Sequence, residues 1–316
     1  MKELVGLKSL ERSGSGATVT IGTFDGVHIG HRALMARTVQ RARENGTAAV
    51  AVTWDRHPMQ TLRPDRVPPL LSAQHRKMEL LRETDLDVVV VLPFDDDLSS
   101  WAPERFVADI LVDGVGARHV VVGEGWRFGH KAAGDTDLLT KLGAGSGFTV
   151  EPLPLAEAEG GPVSSTRIRQ AVAAGDLHLV RSLLGRPFDI DGEVIPGEDR
   201  GTSLGYPTAN IDPDGALALP PQGIYAGRGR AHDGFYPAAI DVGVNPTFGG
   251  DPERTPLRIE PYLLDFEGDL YGRVLRVEFW SRLRDELRFA SVGDLVAQMK
   301  KDVDDTRRIV GETGSA

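Results

Sequence analysis

At 316 residues the chain is longer than a single hydrophobic core usually supports, and its 41% hydrophobic and 26% charged residues exclude a disordered polymer. A formal net charge of −10 argues against affinity for a nucleic-acid backbone, so any anionic ligand must be met by a local site. The absence of cysteine excludes disulfides, thiolate metal sites and cysteine nucleophiles.

The opening stretch MKELVGLKSLERSGSG lacks the apolar core of a signal peptide, and no run approaches about 20 apolar residues. The expectation is a cytoplasmic protein with no membrane partner. Next come the β-rich runs ATVTIGTF, AAVAVTW, DVVVVLPF and HVVVGEGW, with helix-like stretches between them. HRALMARTVQRARENG ends in Asn45-Gly46, as a helix C-terminus should, and SAQHRKMELLRETD follows the second run. Valine runs between amphipathic helices indicate an open parallel sheet buried on both faces, hence an α/β fold. SSTRIRQAVAAGDLHLVRSLLG reads as two short helices, or one interrupted near Gly175, stopped by Gly185 and Pro187. The domain boundary is placed there, giving 1–186 and 187–316.

From Phe188 the texture changes to FDIDGEVI, GIYAGRGRAH, YPAAIDVGVN, RIEPYLLDF and RVLRVEFWSRL, short strands separated by glycine and proline turns. Such spacing without intervening helices suggests a compact antiparallel barrel or sandwich. SVGDLVAQMKKDVDDTRRIV closes the chain as a helix, with Val292, Leu295, Val296, Met299 and Val303 on one face.

The stretch TFDGVHIGH, Thr23 to His31, is delivered by its strand to the carboxyl edge of the sheet, where ligands of such folds sit. Gly22, Gly26 and Gly30 allow close backbone approach, and a helix starting near His28 offers unpaired N–H groups and the positive end of its dipole. His28 and His31 are three apart and project toward one spot, where two imidazole donors would stabilise charge on a phosphoryl oxygen. A capped turn is the plain structural alternative. The spacing does not fit a protease-type zinc helix. A second element, VSSTRIR, places Ser164, Ser165 and Thr166 near a helix N-cap and Arg167 and Arg169 in its first turns. Arginines there oppose the helix dipole, a cost most readily offset by a bound anion. Neither a G-x-x-x-x-G-K-[ST] nor a G-x-G-x-x-G run occurs, so any use of ATP needs another phosphate cradle.

G-x-F-D-G-x-H-x-G-H followed by S-S-T-x-I-R resembles the nucleotidyltransferase superfamily that moves an adenylyl group from ATP to an acceptor phosphate. The resemblance implies that Gly22, Phe24, Asp25, Gly26, Ser164, Thr166 and Arg167 bind ATP, with His28, His31 and Arg169 acting on its phosphates.

In LGYPTANI, Pro207 removes a ladder donor, so the segment reads as an edge or loop. Thr208 and Asn210 are two apart and face the same way if extended, offering hard oxygens for Mg²⁺, with an Asx-type turn as the alternative. Glu260 lies on an alternating strand with Tyr262 on the same face. Together with G-I-Y-x-G at Gly223 to Gly227, N-P-T-F-G at Asn245 to Gly249 and the E-x-x-L-L-D-F run, these segments resemble the riboflavin kinase family.

The order of the two halves is similar to the bacterial bifunctional riboflavin kinase/FAD synthetase family. The resemblance implies an α/β nucleotidyltransferase domain followed by an antiparallel β-barrel with a C-terminal helix. It further implies phosphorylation of riboflavin to FMN, adenylylation of FMN to FAD, ATP and Mg²⁺ as requirements, Thr208 and Asn210 on Mg²⁺-ATP, and Glu260 as base. A homo-oligomer is compatible with it. The chain departs from the family pattern at Gly125, where an acidic or amide residue is common, leaving Glu124 or Arg127 to meet the flavin. It departs again at Thr202, where a basic residue is common and Arg200 remains. His57, in a His-Pro turn, is left out of the site. Two rivals stand beside this reading: an adenylyltransferase for another phosphate ester, and a flavin-nucleotide sensor without turnover.

Overall fold

The computed structural model describes residues 1–9, 14–197, 204–213, 215–231, 234–244 and 257–313. The chain forms two compact units, Met1–Leu70 with Gln74–Ser165, and Leu71–Ala73 with Thr166–Ala316.

The first unit is built on six parallel strands, β1 (Lys2–Val5), β2 (Ala17–Ile21), β3 (Ala48–Trp54), β4 (Val88–Leu92), β5 (Ala117–Gly123) and β6 (Thr149–Leu153), in the order β1-β4-β3-β2-β5-β6. The valine runs give a sheet buried on both faces. Val50, Val52 and Val90 enter one apolar core, while Ala49, Ala51, Val89 and Val91 enter the other. Helix α1 (Ile29–Asn45) ends at Gly46 in the left-handed region, φ 63°, as the Asn-Gly pair indicates. Helices α2 (Pro58–Leu62), α3 (Gln74–Arg82), α4 (Asp96–Ser99), α5 (Pro103–Phe106) and α6 (Thr136–Ser146) complete the layers. A small hairpin, β7 (Glu157–Ala158) and β8 (Gly161–Pro162), precedes Ser165. After β2 the chain builds outward through β3 and β4, then returns to lay β5 on the other side of β2. The crevice between the carboxyl ends of β2 and β5 is therefore the switch point at which such sheets bind ligands.

From Thr166 the second unit takes in α7 (Ser165–Ala174), whose first residue belongs to the first unit, and α8 (Leu177–Leu184), the two separated at Gly175 with φ 72°. The two-helix reading of that stretch holds. Six antiparallel strands follow, β9 (Phe188–Ile195), β10 (Asn210–Pro213), β11 (Gly223–Ala231), β12 (Gly234–Val244), β13 (Leu257–Leu263) and β14 (Val274–Arg284), closed into a barrel in the order β10-β13-β12-β11-β14-β9. Pro207 lies ahead of β10, where it takes no ladder position. Inside, fully buried Tyr225, Ile240, Val242, Ile259 and Val277 form the core, and the Arg276 guanidinium donates to both oxygens of Asp191 at 2.6 and 2.7 Å.

Helix α9 (Val292–Thr313) corrects one expectation. Val292 is exposed, whereas Leu295, Val296, Met299 and Val303 are partly buried and the same side continues through buried Asp302, Thr306 and Val310. A buried aspartate is tolerated because Arg284 of β14 forks onto its carboxylate, with Nη2 at 2.7 Å.

Candidate active sites

In the first unit the turn after β2 is strained. Phe24 and Val27 hold φ of 51° and 39°, and Gly26 holds 76° between them. The glycines of this motif seat aromatic rings. A Cβ at Gly22 would lie 2.7 Å from the Phe24 ring, and one at Gly30 would lie 3.2 Å from the His28 ring. His28 is the N-cap of α1: its Nδ1 accepts the His31 N–H at 3.3 Å. A ring nitrogen that accepts carries no proton, so in this arrangement Nε2 is the donor nitrogen of the ring. His31 stacks on His28 with centroids 3.5 Å apart. Burial first, then His28 and Lys77 beside it, hold His31 well below the usual histidine range. The motif therefore presents a neutral His31 ring stacked on the capping His28 at a helix N-terminus.

Lys77 is the residue that motif reading missed. Buried on α3, it donates to the Trp54 carbonyl at 2.8 Å and lies 3.5 Å from the Thr23 carbonyl, at the root of the strained turn. Burial pushes its ammonium down to about 8, against the pull of Asp25 and Asp55. The available signal was a lysine in the same apolar stripe as Met78 and Leu81.

His28, His31, Gly22, Phe24, Ser164 and Ser165 line a cavity of about 680 Å³. Ser165 Oγ donates to the Asp25 carbonyl at 3.2 Å, which brings the serines of VSSTRIR to the histidine turn. Asp25 is buried. Thr166, Arg167 and Arg169 follow on α7, within the second unit. The same cavity is lined by a wall of five rings drawn from four separate segments, Trp54, Phe94, Phe106, Trp126 and Phe128. Trp126 and Phe128 are stacked at 4.8 Å, and Trp54 meets Phe94 edge-on at 5.4 Å. Such a wall suits a planar apolar ligand. Glu124 and Arg127 also line this cavity, with Arg127 3.5 Å from Asp135. Gly125 between them has φ 76° and open space where a Cβ would stand, a backbone that glycine, asparagine and aspartate adopt most readily. His57 caps α2, its Nδ1 accepting the Met59 N–H at 3.2 Å, which accounts for it structurally.

A second cavity, of about 440 Å³, lies within the second unit and is lined by Tyr206, Thr208, Asp241, Glu260, Tyr262 and apolar side chains of α9. The Ala209 N–H donates to the Pro261 carbonyl at 2.9 Å, tying the PTAN segment to β13 beside Glu260. Glu260 is partly exposed, with Arg258 3.8 Å from its carboxylate. Asn210 is buried, its amide packs on Gly197, and its Oδ1 has no hydrogen-bond partner. Among the described residues no group of three or more His, Asp or Glu is arranged to hold a metal ion. Arg200, Thr202 and the N-P-T-F-G segment lie outside the described residues.

The family model for FAD synthetase matches residues 10–167, and that for riboflavin kinase matches residues 184–310. The bifunctional riboflavin kinase/FMN adenylyltransferase of Pseudomonas fluorescens is 39% identical over 303 residues, 96% of each chain. This chain belongs to the bifunctional riboflavin kinase/FMN adenylyltransferase family. The Escherichia coli K12 member is 34% identical over the full length of both chains. A crystal structure from Streptococcus pneumoniae, described as a macrolide-efflux protein, is 29% identical and superposes with a TM-score of 0.86 over 97% of this chain and 99% of its own. No helix among the described residues of this chain is long and apolar enough to cross a membrane. Members of the family therefore share both halves in the order that the two cavities occupy here.

Proposed function

We propose that each cavity serves one of the family's two reactions. The chain phosphorylates riboflavin to FMN with ATP, and it joins FMN to AMP from a second ATP, giving FAD and pyrophosphate. The observation that carries this is the coincidence of the FAD synthetase match with the histidine-lined cavity and of the riboflavin kinase match with the Glu260 cavity.

In adenylylation an FMN phosphate oxygen attacks the α-phosphorus of ATP, and the bond to the bridging oxygen of the β-phosphate breaks. No base is needed, because the FMN phosphate is already ionised. The enzyme's part is to hold two anions together and stabilise the charge at the reacting phosphorus. His28 Nε2 and the first N–H groups of α1 suit that task, with the neutral ring of His31 stacked beneath. Gly22, Phe24, Asp25 and Gly26 shape the phosphate end. The resemblance adds Ser164, Thr166, Arg167 and Arg169 as phosphate ligands. The aromatic wall takes the isoalloxazine ring, with Glu124 and Arg127 beside it.

In phosphorylation Glu260 accepts the proton of the terminal ribityl hydroxyl, whose oxygen attacks the γ-phosphorus as ADP leaves. Mg²⁺, when bound, neutralises charge on the ATP phosphates. Thr208, which lines the cavity, and Asn210, whose buried Oδ1 has no hydrogen-bond partner, carry the hard oxygens that the resemblance assigns to it. We keep 1–186 and 187–316 as the two functional domains, and we expect a cytoplasmic enzyme working on small molecules, as the net charge of −10 favours.

The decisive experiment is to incubate the purified chain with riboflavin and Mg²⁺-ATP and resolve the flavins by chromatography over time. FMN followed by FAD is the expected result, and no conversion overturns the reading.

A further inference from the structure

Asp241 stands directly opposite Glu260 across β12 and β13. The two belong to a lateral row through four strands: Arg284 pairs with Ile224, Ile224 with Asp241, and Asp241 with Glu260, and all four line the second cavity. Directly opposed residues of an antiparallel pair share a face, and like charges in that position repel. Glu286 crowds the pair. It lies over the bare backbone of Gly243, where a Cβ would be 2.5 Å from Glu286 Oε1 and 3.4 Å from Asp241 Oδ1. Asp241, Glu260 and Glu286 thus meet in one cavity, and the neighbouring arginines pair with carboxylates other than that of Asp241. Arg284 is forked onto Asp302 of α9, and Arg258 is 3.8 Å from Glu260 itself.

Within this cluster Asp241 Oδ1 is buried and has no hydrogen-bond partner. An ionised carboxylate so placed is costly, whereas a protonated one becomes a donor aimed at whatever fills the cavity. Burial first, then Glu286 and Glu260, raise the Asp241 carboxyl to about 7, with Arg284 opposing and Asp302 adding to the rise.

We propose that Asp241 is a substrate-binding residue of the kinase site: its protonated carboxyl donates a hydrogen bond to a ribityl hydroxyl next to the reacting one, leaving the negative charge on Glu260. The inference rests on the kinase reading of this cavity. Its consequence is a pH limit peculiar to this half of the protein. When Asp241 ionises, the substrate loses a donor and faces a second negative charge beside the base.

The test is kcat/KM for riboflavin at saturating Mg²⁺-ATP, measured from pH 6 to 9 on the full chain, with conversion of supplied FMN to FAD as an internal control of folding. Wild type is expected to lose about tenfold between pH 6 and pH 8, as the protonated fraction of a group titrating near 7 does. Asp241→Asn, a permanent neutral donor of the same shape, is expected to change by less than about twofold over that span. Asp241→Ala is expected to raise the riboflavin KM at pH 6.5 about fivefold or more, consistent with the loss of one hydrogen bond. Glu286→Gln removes a like charge and is expected to move the alkaline limb to lower pH, a displacement that a purely structural role would not produce. An alkaline limb that survives in Asp241→Asn, or an unchanged KM in Asp241→Ala, overturns the inference. Absence of FMN from the wild type at every pH overturns instead the kinase reading beneath it.

Discussion

The two cavities both consume ATP, yet they are lined by opposite chemistry. The first presents two stacked imidazoles, backbone N–H groups and aromatic rings, while the second is lined by Asp241, Glu260, Glu286 and the Arg284–Asp302 pair among apolar side chains. The difference follows from the nucleophile. A phosphate needs only to be held against another phosphate, so donors suffice and a base would add repulsion. An alcohol must lose a proton, so a carboxylate has to stand beside it and the negative charge around it has to be limited.

The largest effect expected from breaking this contrast is at Glu260. Glu260→Gln should lower FMN formation by about 10²- to 10⁴-fold while supplied FMN is still converted to FAD, as separate assays of the two steps will read. His28→Ala should do the reverse, lowering FAD formation by about 10²-fold or more with riboflavin phosphorylation retained. A folded variant that lost both reactions in either case would contradict the division of labour.

Smaller effects sharpen the picture of the first cavity. Lys77 has a folded pKa of about 8 against an ordinary 10.5, so between those values the unfolded chain binds more protons than the folded one. Its contribution to stability is therefore least favourable below pH 8 and rises as pH climbs toward 10.5, by up to about 3 kcal/mol. Lys77→Met should abolish that rise in urea unfolding of the first unit, and it should leave the Trp54 carbonyl short of a donor at every pH. The smallest change is expected from Gly125→Asn. With φ at 76° and open space beyond its Cβ, the substitution should alter stability by less than about 1 kcal/mol while lowering the KM for FMN severalfold.

Much of the framework was legible because it is written in local pattern. Valine runs marked the parallel strands, Asn45-Gly46 marked the end of α1, and FDIDGEVI marked β9 to the residue. The unread parts depend on partners far away in the chain. Lys2–Val5 and Thr149–Leu153 carry little strand signal of their own and are strands because β4 and β5 lie beside them. The aromatic wall escaped notice because its rings come from Trp54, Phe94, Phe106 and the Trp126–Phe128 turn, and no window contains more than two of them. Asp302 and Asp241 escaped for the same reason, since an aspartate reads as solvated until Arg284 or Glu260 is placed against it. The place of the histidine motif after β2 was legible, whereas the packing of Phe24 and His28 onto Gly22 and Gly30 exists only in three dimensions.

His28 shows how little freedom such a turn leaves to evolution. Asparagine or serine would cap α1 at least as well, and either would relieve the turn of a bulky ring. Neither carries a second nitrogen whose proton is fixed in place by the very act of capping. The Gly30–His31 peptide N–H thus serves as a lock on a tautomer, and a substitution that looks harmless to the fold would remove the nitrogen whose proton it fixes.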